Sequence, residues 1–297
     1  MSKYKDTIYA LSSPQGKSAI AIIRVSGKGV LKIIRKITKI KKIIPNKTNL
    51  LFLKNKDVII DQAIVIYFKS PNSFTGEDVV EIYCHGGFAI IDKISDTIEK
   101  NGIRLAEPGE FTKRALLNNK IDLVKTESIS DMINAETEKQ RVLAIKNLSG
   151  GLSDFTTKIN QKISSNLANI EALIDFSEED LPSDVLKRIK EQNKNIIKEI
   201  AKELKNAEKS KPIRDGVKIG IIGKPNTGKS SFINYISNKN VSIVTNIPGT
   251  TTDSVTSAID INGVKFTFFD TAGLRKHKNK IEEIGIKKTK KIIEKSD

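Results

Sequence analysis

One segment limits the possible folds of this chain more than any other. Residues 217–222, Val-Lys-Ile-Gly-Ile-Ile, are apolar except for Lys218 and Gly220. Such a run suits a strand buried on both faces of a parallel sheet. It leads directly into Gly223-Lys-Pro-Asn-Thr-Gly-Lys-Ser230 and then into helix-like Ser231-Phe-Ile-Asn-Tyr-Ile236. Two glycines with four residues between them, then Lys and Ser, form the pattern of a phosphate-binding loop. Glycine lets the backbone approach phosphates closely. Successive N–H groups point inward, and the next helix presents its positive N-terminus. Lys229 would reach the β- and γ-phosphates, and the Ser230 hydroxyl would ligate Mg²⁺. An eight-residue match alone is also what a glycine turn offers, so the flanking segments matter.

Two of them point the same way. Phe266-Thr-Phe-Phe-Asp270-Thr-Ala-Gly273 reads as a strand ending in Asp, followed by a DxxG turn. The Asp suits an outer Mg²⁺ contact, and the Gly273 amide suits a γ-phosphate. Between the two motifs, Gly249-Thr-Thr-Thr-Asp253 offers a threonine for a second Mg²⁺ position. The order and spacing match a GTPase. Leu274 stands where many signalling GTPases carry a Gln that orients the attacking water. Leucine cannot do this, which leaves Arg275, Glu282 and Glu283 as candidates downstream, each also readable as an exposed switch residue.

The rest of the chain has two further textures. Up to about residue 120, β-rich runs at 18–25, 59–68 and 79–84 alternate with a helical pattern at 29–40, where Leu31, Ile34 and Ile37 recur at steps of three. This zone predicts a compact α+β domain. From 121 to about 211, long periodic stretches dominate. Phe155, Ile159, Ile163, Leu167, Ile170 and Ile174 line one face of a helix over 152–176, after a Gly150-Gly151 break. A second helix over 184–209 carries Ile189, Ile196, Ile200 and Leu204. Together they predict a helical hairpin or bundle that needs partners over its apolar stripes.

Composition narrows the function classes. No stretch approaches the roughly 20 apolar residues of a membrane span, and the N-terminus lacks the apolar core of a signal peptide. A lone Cys84 excludes an internal disulfide or a cysteine-rich zinc site, and a reducing cytoplasm is the expected compartment. The formal net charge is +16, from 43 Lys and 8 Arg against 35 acidic residues. That charge fits a nucleic-acid partner, but Lys and Ile enrichment together also fits an AT-rich coding sequence.

The motifs then resemble a known family, the TrmE/MnmE tRNA-modification GTPases. The resemblance rests on the phosphate loop with Asn226, on Gly-Thr-Thr-Thr-Asp and on Asp-Thr-Ala-Gly-Leu-Arg. It rests equally on Ile22-Ile-Arg-Val-Ser-Gly27, Pro71-Asn-Ser-Phe-Thr-Gly-Glu-Asp78, Cys84-His-Gly-Gly87, Glu107-Pro-Gly-Glu-Phe-Thr-Lys-Arg-Ala115 and Ala172-Leu-Ile-Asp-Phe176. It implies an α+β folate-binding and dimerisation domain at 1–120, the first half of a helical domain at 121–214, and the N-terminal half of an α/β P-loop GTPase domain at 215–297. The implied activity is GTP hydrolysis coupled to adding a carboxymethylaminomethyl-type group at C5 of the wobble uridine (position 34) of tRNA. A homodimer would act with an FAD-dependent partner as a heterotetramer, with 5,10-methylene- or 5-formyl-tetrahydrofolate supplying the one-carbon unit.

Residue roles carry over on the same terms. Arg24, Glu81 and Lys120 would hold the folate, a cation beside its glutamyl carboxylate and a carboxylate for its pterin N–H groups. The plain readings of the same residues are a strand-end Arg, an edge-strand Glu and a helix-surface Lys. GTP contacts would come from Asn226, Thr227, Gly228, Lys229, Ser230 and Ser231. Further contacts would come from Thr245, Asn246, Ile247, Pro248, Gly249, Thr250 and Thr251, and from Asp270, Thr271, Ala272 and Gly273. Ser230 and Thr251 would hold Mg²⁺. Asn226, Thr245, Ile247 and Thr250 would hold K⁺, which supplies the positive charge other GTPases take from an arginine finger. Glu282 would orient the water. Thr252 stands where the family usually has Arg, and the sequence stops at Asp297, ahead of the family's Asn-Lys-x-Asp and terminal Cys-x-Gly-Lys. The expectation is therefore a fragment or truncated product that binds GTP poorly while its first domain still binds folate and dimerises. The rival readings are a ribosome-assembly or RNA-binding GTPase switch, and an inactive dimerisation module.

Overall fold

The computed structural model describes residues 6–175, 184–221, 227–239, 242–243 and 256–270. The chain divides into two compact units, 1–126 and 127–297.

The first unit begins with β1 (Ile8–Leu11), β2 (Ser18–Ser26), α1 (Val30–Thr38), β3 (Thr48–Asn55), β4 (Val58–Phe68) and β5 (Val79–Gly86). It continues with α2 (Phe88–Glu99), β6 (Arg104–Leu105) and α3 (Glu110–Leu117). The six strands form one sheet in the order β3-β4-β5-β2-β1-β6. All neighbours are antiparallel except β1 and β6. Strand alternation sorts the side chains between two faces. Ile23, Val25, Val65, Ile82 and Cys84 are buried in one core with Ile33, Ile34 and Ile37 of α1 and Ile91, Ile94 and Ile98 of α2. On the other face the register sets Leu50, Ile64, Tyr83 and Ile22 in one row across four strands. Leu50 and Ile64 there are exposed.

The three β-rich runs read from the sequence all become strands, each within two residues of its expected bounds. The structure adds β1, β3, β6, α2 and α3. A buried ionic cluster then joins distant segments. Arg114 of α3 is 0% exposed and meets Glu110 (2.9 Å), Glu77 (3.2 Å) and Asp6 (2.9 Å). Ser26 donates to Glu77 (2.7 Å) and hydrogen-bonds Thr75 (2.8 Å), and Asn118 donates to the Thr75 carbonyl (2.7 Å). Arg104 grips both oxygens of Glu110 at 2.9 and 2.7 Å. That contact, led by the Arg104 hydrogen bond, holds the Glu110 carboxyl down at about 2. A buried arginine is tolerated because several carboxylates compensate it.

The second unit takes in most of α4 (Leu123–Ile133), then α5 (Glu138–Leu148), α6 (Gly151–Asp175), α7 (Val185–Asp215), β7 (Val217–Ile221), α8 (Lys229–Lys239), β8 (Ser242–Ile243), β9 (Thr256–Ile261) and β10 (Val264–Asp270). Thr137 and Gln140 close a capping box at the start of α5. The Gly150-Gly151 break is real, since Gly150 has φ +108 between α5 and α6. Helix α7 runs on past the expected stretch, through Pro212 to Asp215. The expected stripe of α6 is only partly covered. Ile159 is buried, whereas Ile163, Leu167, Ile170 and Ile174 are exposed. Between α6 and α7, Asn166 donates to Asn193 at 2.8 Å. The strands form a sheet in the order β7-β10-β9-β8, with β7 and β10 parallel. Asn262 (φ 54) and Gly263 (φ 81) make the tight β9–β10 turn, whose two left-handed positions suit this residue pair.

Candidate functional site

In the first unit, the register of β2 against β5 sets Arg24 directly opposite Glu81. Their side chains meet. Arg24 Nε donates to Glu81 Oε1 at 2.9 Å, and Nη2 lies 2.7 Å from the same oxygen. The other carboxylate oxygen, Oε2, accepts from the Tyr83 hydroxyl at 2.7 Å. That hydrogen bond pushes the Tyr83 phenol above its ordinary value. Arg24 Cζ lies over the Phe74 ring at 5.5 Å and over the Phe111 ring at 5.7 Å. Phe74 comes from the loop between β4 and β5, and Phe111 from α3. The Arg24 and Glu81 side chains are 27% and 13% exposed, so solvent and solutes reach them.

Lys120 belongs to the same neighbourhood. Asn118, two residues before it, is bonded to Thr75, and a Cβ on Gly76 would sit 3.0 Å from Lys120 Cγ. Gly76 has φ +75, so this turn favours glycine twice over, by backbone and by space. All three expected folate residues thus lie around the loop over residues 71–78. Arg24 and Glu81 touch each other across the β2–β5 register. Sequence reasoning missed Phe74, Phe111 and Tyr83. Tyr83 was accessible from strand alternation, two residues after Glu81. The two phenylalanines stand within quoted motifs, but only the fold brings them to Arg24.

In the second unit, the parallel register sets Asp270, at the end of β10, beside Ile221, at the end of β7. Gly228 has φ +82 and its carbonyl accepts the first helical hydrogen bond of α8, from Phe232 N (2.9 Å). Lys229 opens α8, followed by Ser230 and Ser231. A strand ending at Ile221 and a helix opening at Lys229 therefore flank the motif, as a phosphate-binding loop requires. Asn226, Thr245, Asn246, Ile247, Pro248, Gly249, Thr250, Thr251, Thr271, Ala272, Gly273 and Glu282 lie outside the described residues, as do the side chains of Ser230 and Asp270. The expected Mg²⁺ and K⁺ ligands are among them.

The comparisons cover both units. Residues 7–120 match the family model described as GTP-binding protein TrmE N-terminus, and residues 123–296 match the MnmE helical domain. The chain belongs to the TrmE/MnmE family. It carries the family's α+β N-terminal domain, then its helical domain and P-loop sheet. A tRNA modification GTPase MnmE of Pelagibacter ubique is 45% identical over 287 residues, covering 95% of this chain and 64% of the relative. The Fervidobacterium nodosum protein of the same name is 44% identical, with 99% and 65% covered. That of Aquifex aeolicus is 40% identical, with 99% and 66% covered. The chain thus spans just under two thirds of the length of these relatives.

Proposed function

We propose that this chain serves a GTP-hydrolysing tRNA-modification enzyme that installs a carboxymethylaminomethyl-type group at C5 of the wobble uridine, using a tetrahydrofolate one-carbon donor. The observation that carries the reading is the Arg24–Glu81 pair, accessible and set at one loop with Lys120, in a chain whose relatives are named for tRNA modification. An Arg edge beside a carboxylate offers donors next to an acceptor. That array fits a flat, amide-bearing ring such as a pterin, and Lys120 suits a carboxylate further along. When bound, the folate derivative would supply the one-carbon unit. The residues of this chain would orient it.

The second unit supports GTP as substrate through β7, Gly228 and the start of α8. On this reading Lys229 neutralises the β- and γ-phosphates, and Ser230 and Thr251 hold Mg²⁺. Asn226, Thr245, Ile247 and Thr250 hold K⁺, and Glu282 orients the water in place of the Gln that Leu274 displaces. We further assign a homodimer, supported by the exposed Leu50 and Ile64 on the outer sheet face. An FAD-dependent partner, a tRNA substrate and a cytoplasmic location complete the proposal. No helix among the described residues is long and apolar enough to cross a membrane.

The test is calorimetric titration of the 297-residue chain with 5-formyltetrahydrofolate. The reading predicts saturable binding that Arg24→Ala and Glu81→Ala each weaken at least tenfold. Equal binding by wild type and both variants, or none by the folded wild type, refutes it.

A further inference from the structure

The Arg24–Glu81 pair does not stand alone, and its surroundings are built to fix it. Arginine is a flexible side chain, and at a partly exposed site it loses substantial rotamer freedom when held in one geometry. Here three contacts share that cost. Phe74 and Phe111 each place a ring face toward the guanidinium, at 5.5 and 5.7 Å. Both distances are within the range at which the ring quadrupole attracts a cation. Tyr83 occupies the far oxygen of Glu81 at 2.7 Å. Each ring is itself anchored from behind. Phe111 follows Glu110, which is fixed by Arg104 and Arg114. Phe74 precedes Thr75, which is fixed by Ser26 and Asn118. Phe74 is exposed and Phe111 is half-buried.

We infer that Phe74 and Phe111 are positioning residues, a two-ring clamp that holds Arg24 against Glu81 in the geometry a ligand meets. The inference rests on the reading of that pair as the folate site. It extends that reading to two aromatic residues that act through Arg24 and need not touch the ligand. It also gives the buried Arg114 cluster a purpose beyond stability, since the cluster fixes the elements that carry both rings.

The experiment combines titration with a direct view of Arg24. Variants Phe74→Leu and Phe111→Leu keep apolar bulk and lose the ring, whereas Phe111→Tyr keeps the ring. Arginine Nε–H resonances are recorded by NMR in the full chain, where eight arginines keep the spectrum simple. In the wild type the Arg24 Nε–H should be protected from exchange and shifted by the rings. Each Leu variant should move that resonance, speed its exchange about tenfold and weaken 5-formyltetrahydrofolate binding about five- to thirty-fold. Phe111→Tyr should restore both to within about threefold. Thermal melts confirm that the sheet is intact. An Arg24 resonance and exchange rate unchanged in both Leu variants overturns the clamp, whatever the ligand does. So does wild-type folate affinity in both Leu variants when Arg24→Ala abolishes binding. If the resonance moves as expected while Arg24→Ala binds folate like the wild type, the clamp stands and the folate reading falls.

Discussion

Arg114→Met should lower the stability of the first unit by a measurable amount. Methionine fills a similar volume but removes a fully buried cation from Glu77, Glu110 and Asp6. Breaking a buried ion pair by removing one partner costs about 3–5 kcal/mol. The lower end applies here, because Glu110 keeps Arg104 and Glu77 keeps the Ser26 hydroxyl. For a unit of this size, about 3 kcal/mol corresponds to a fall in Tm of roughly 10 °C. Tyrosine fluorescence follows the transition well. Three of the five tyrosines, Tyr9, Tyr67 and Tyr83, lie on strands of this unit, and the chain has no tryptophan. The double variant Arg114→Met with Glu77→Gln should recover part of the loss, since it removes one of the stranded charges. A melt within 2 °C of wild type for the single variant would refute the ionic account. So would a double variant less stable than the single one.

Three other outcomes follow from local geometry. Glu110 titrates near 2 in the folded chain against an ordinary value of 4.5. Its contribution is therefore complete above about pH 4.5 and is lost as the pH falls from there toward 2; Arg104→Met should move acid unfolding to higher pH, measured by circular dichroism. Asn166 is buried with its Oδ1 unpartnered, while Asn193 is exposed. Asn166→Leu should then stabilise the helical hairpin by about 1 kcal/mol, read from a melt at 222 nm. Gly263→Ala should cost about 1–2 kcal/mol in urea unfolding of the second unit. Its φ is +81, and the new Cβ would lie 2.7 Å from Lys139 Cγ.

Long elements with a steady period were legible in the sequence. The runs that became β2, β4 and β5, the two long helices and the strand before the glycine loop all follow from alternation or helical spacing. Shorter elements were not. β1 and β6 hold four and two residues, too few to show a period. The Arg114 cluster was illegible for a different reason. Asp6, Glu77 and Arg114 are separated by dozens of residues, and charged residues in turn-like text read as surface. Pro212 reads as a helix stop, yet α7 passes through it, as tertiary context can override local propensity. At the site, only the family resemblance pointed to Arg24, Glu81 and Lys120, which by themselves read as a strand-end Arg, an edge-strand Glu and a helix-surface Lys. That the first two form one contact unit required the β2–β5 register.

On the proposed reading, Arg24 and Glu81 together receive one end of a folate. A crystal structure of the chain soaked in 5-formyltetrahydrofolate tests it most directly. The expected result is ligand density with a ring edge within hydrogen-bonding distance of both side chains, and with Phe74 and Phe111 still against Arg24. Density elsewhere, or a folate that meets Arg24 and Glu81 with opposite ends after their ion pair has opened, would contradict it.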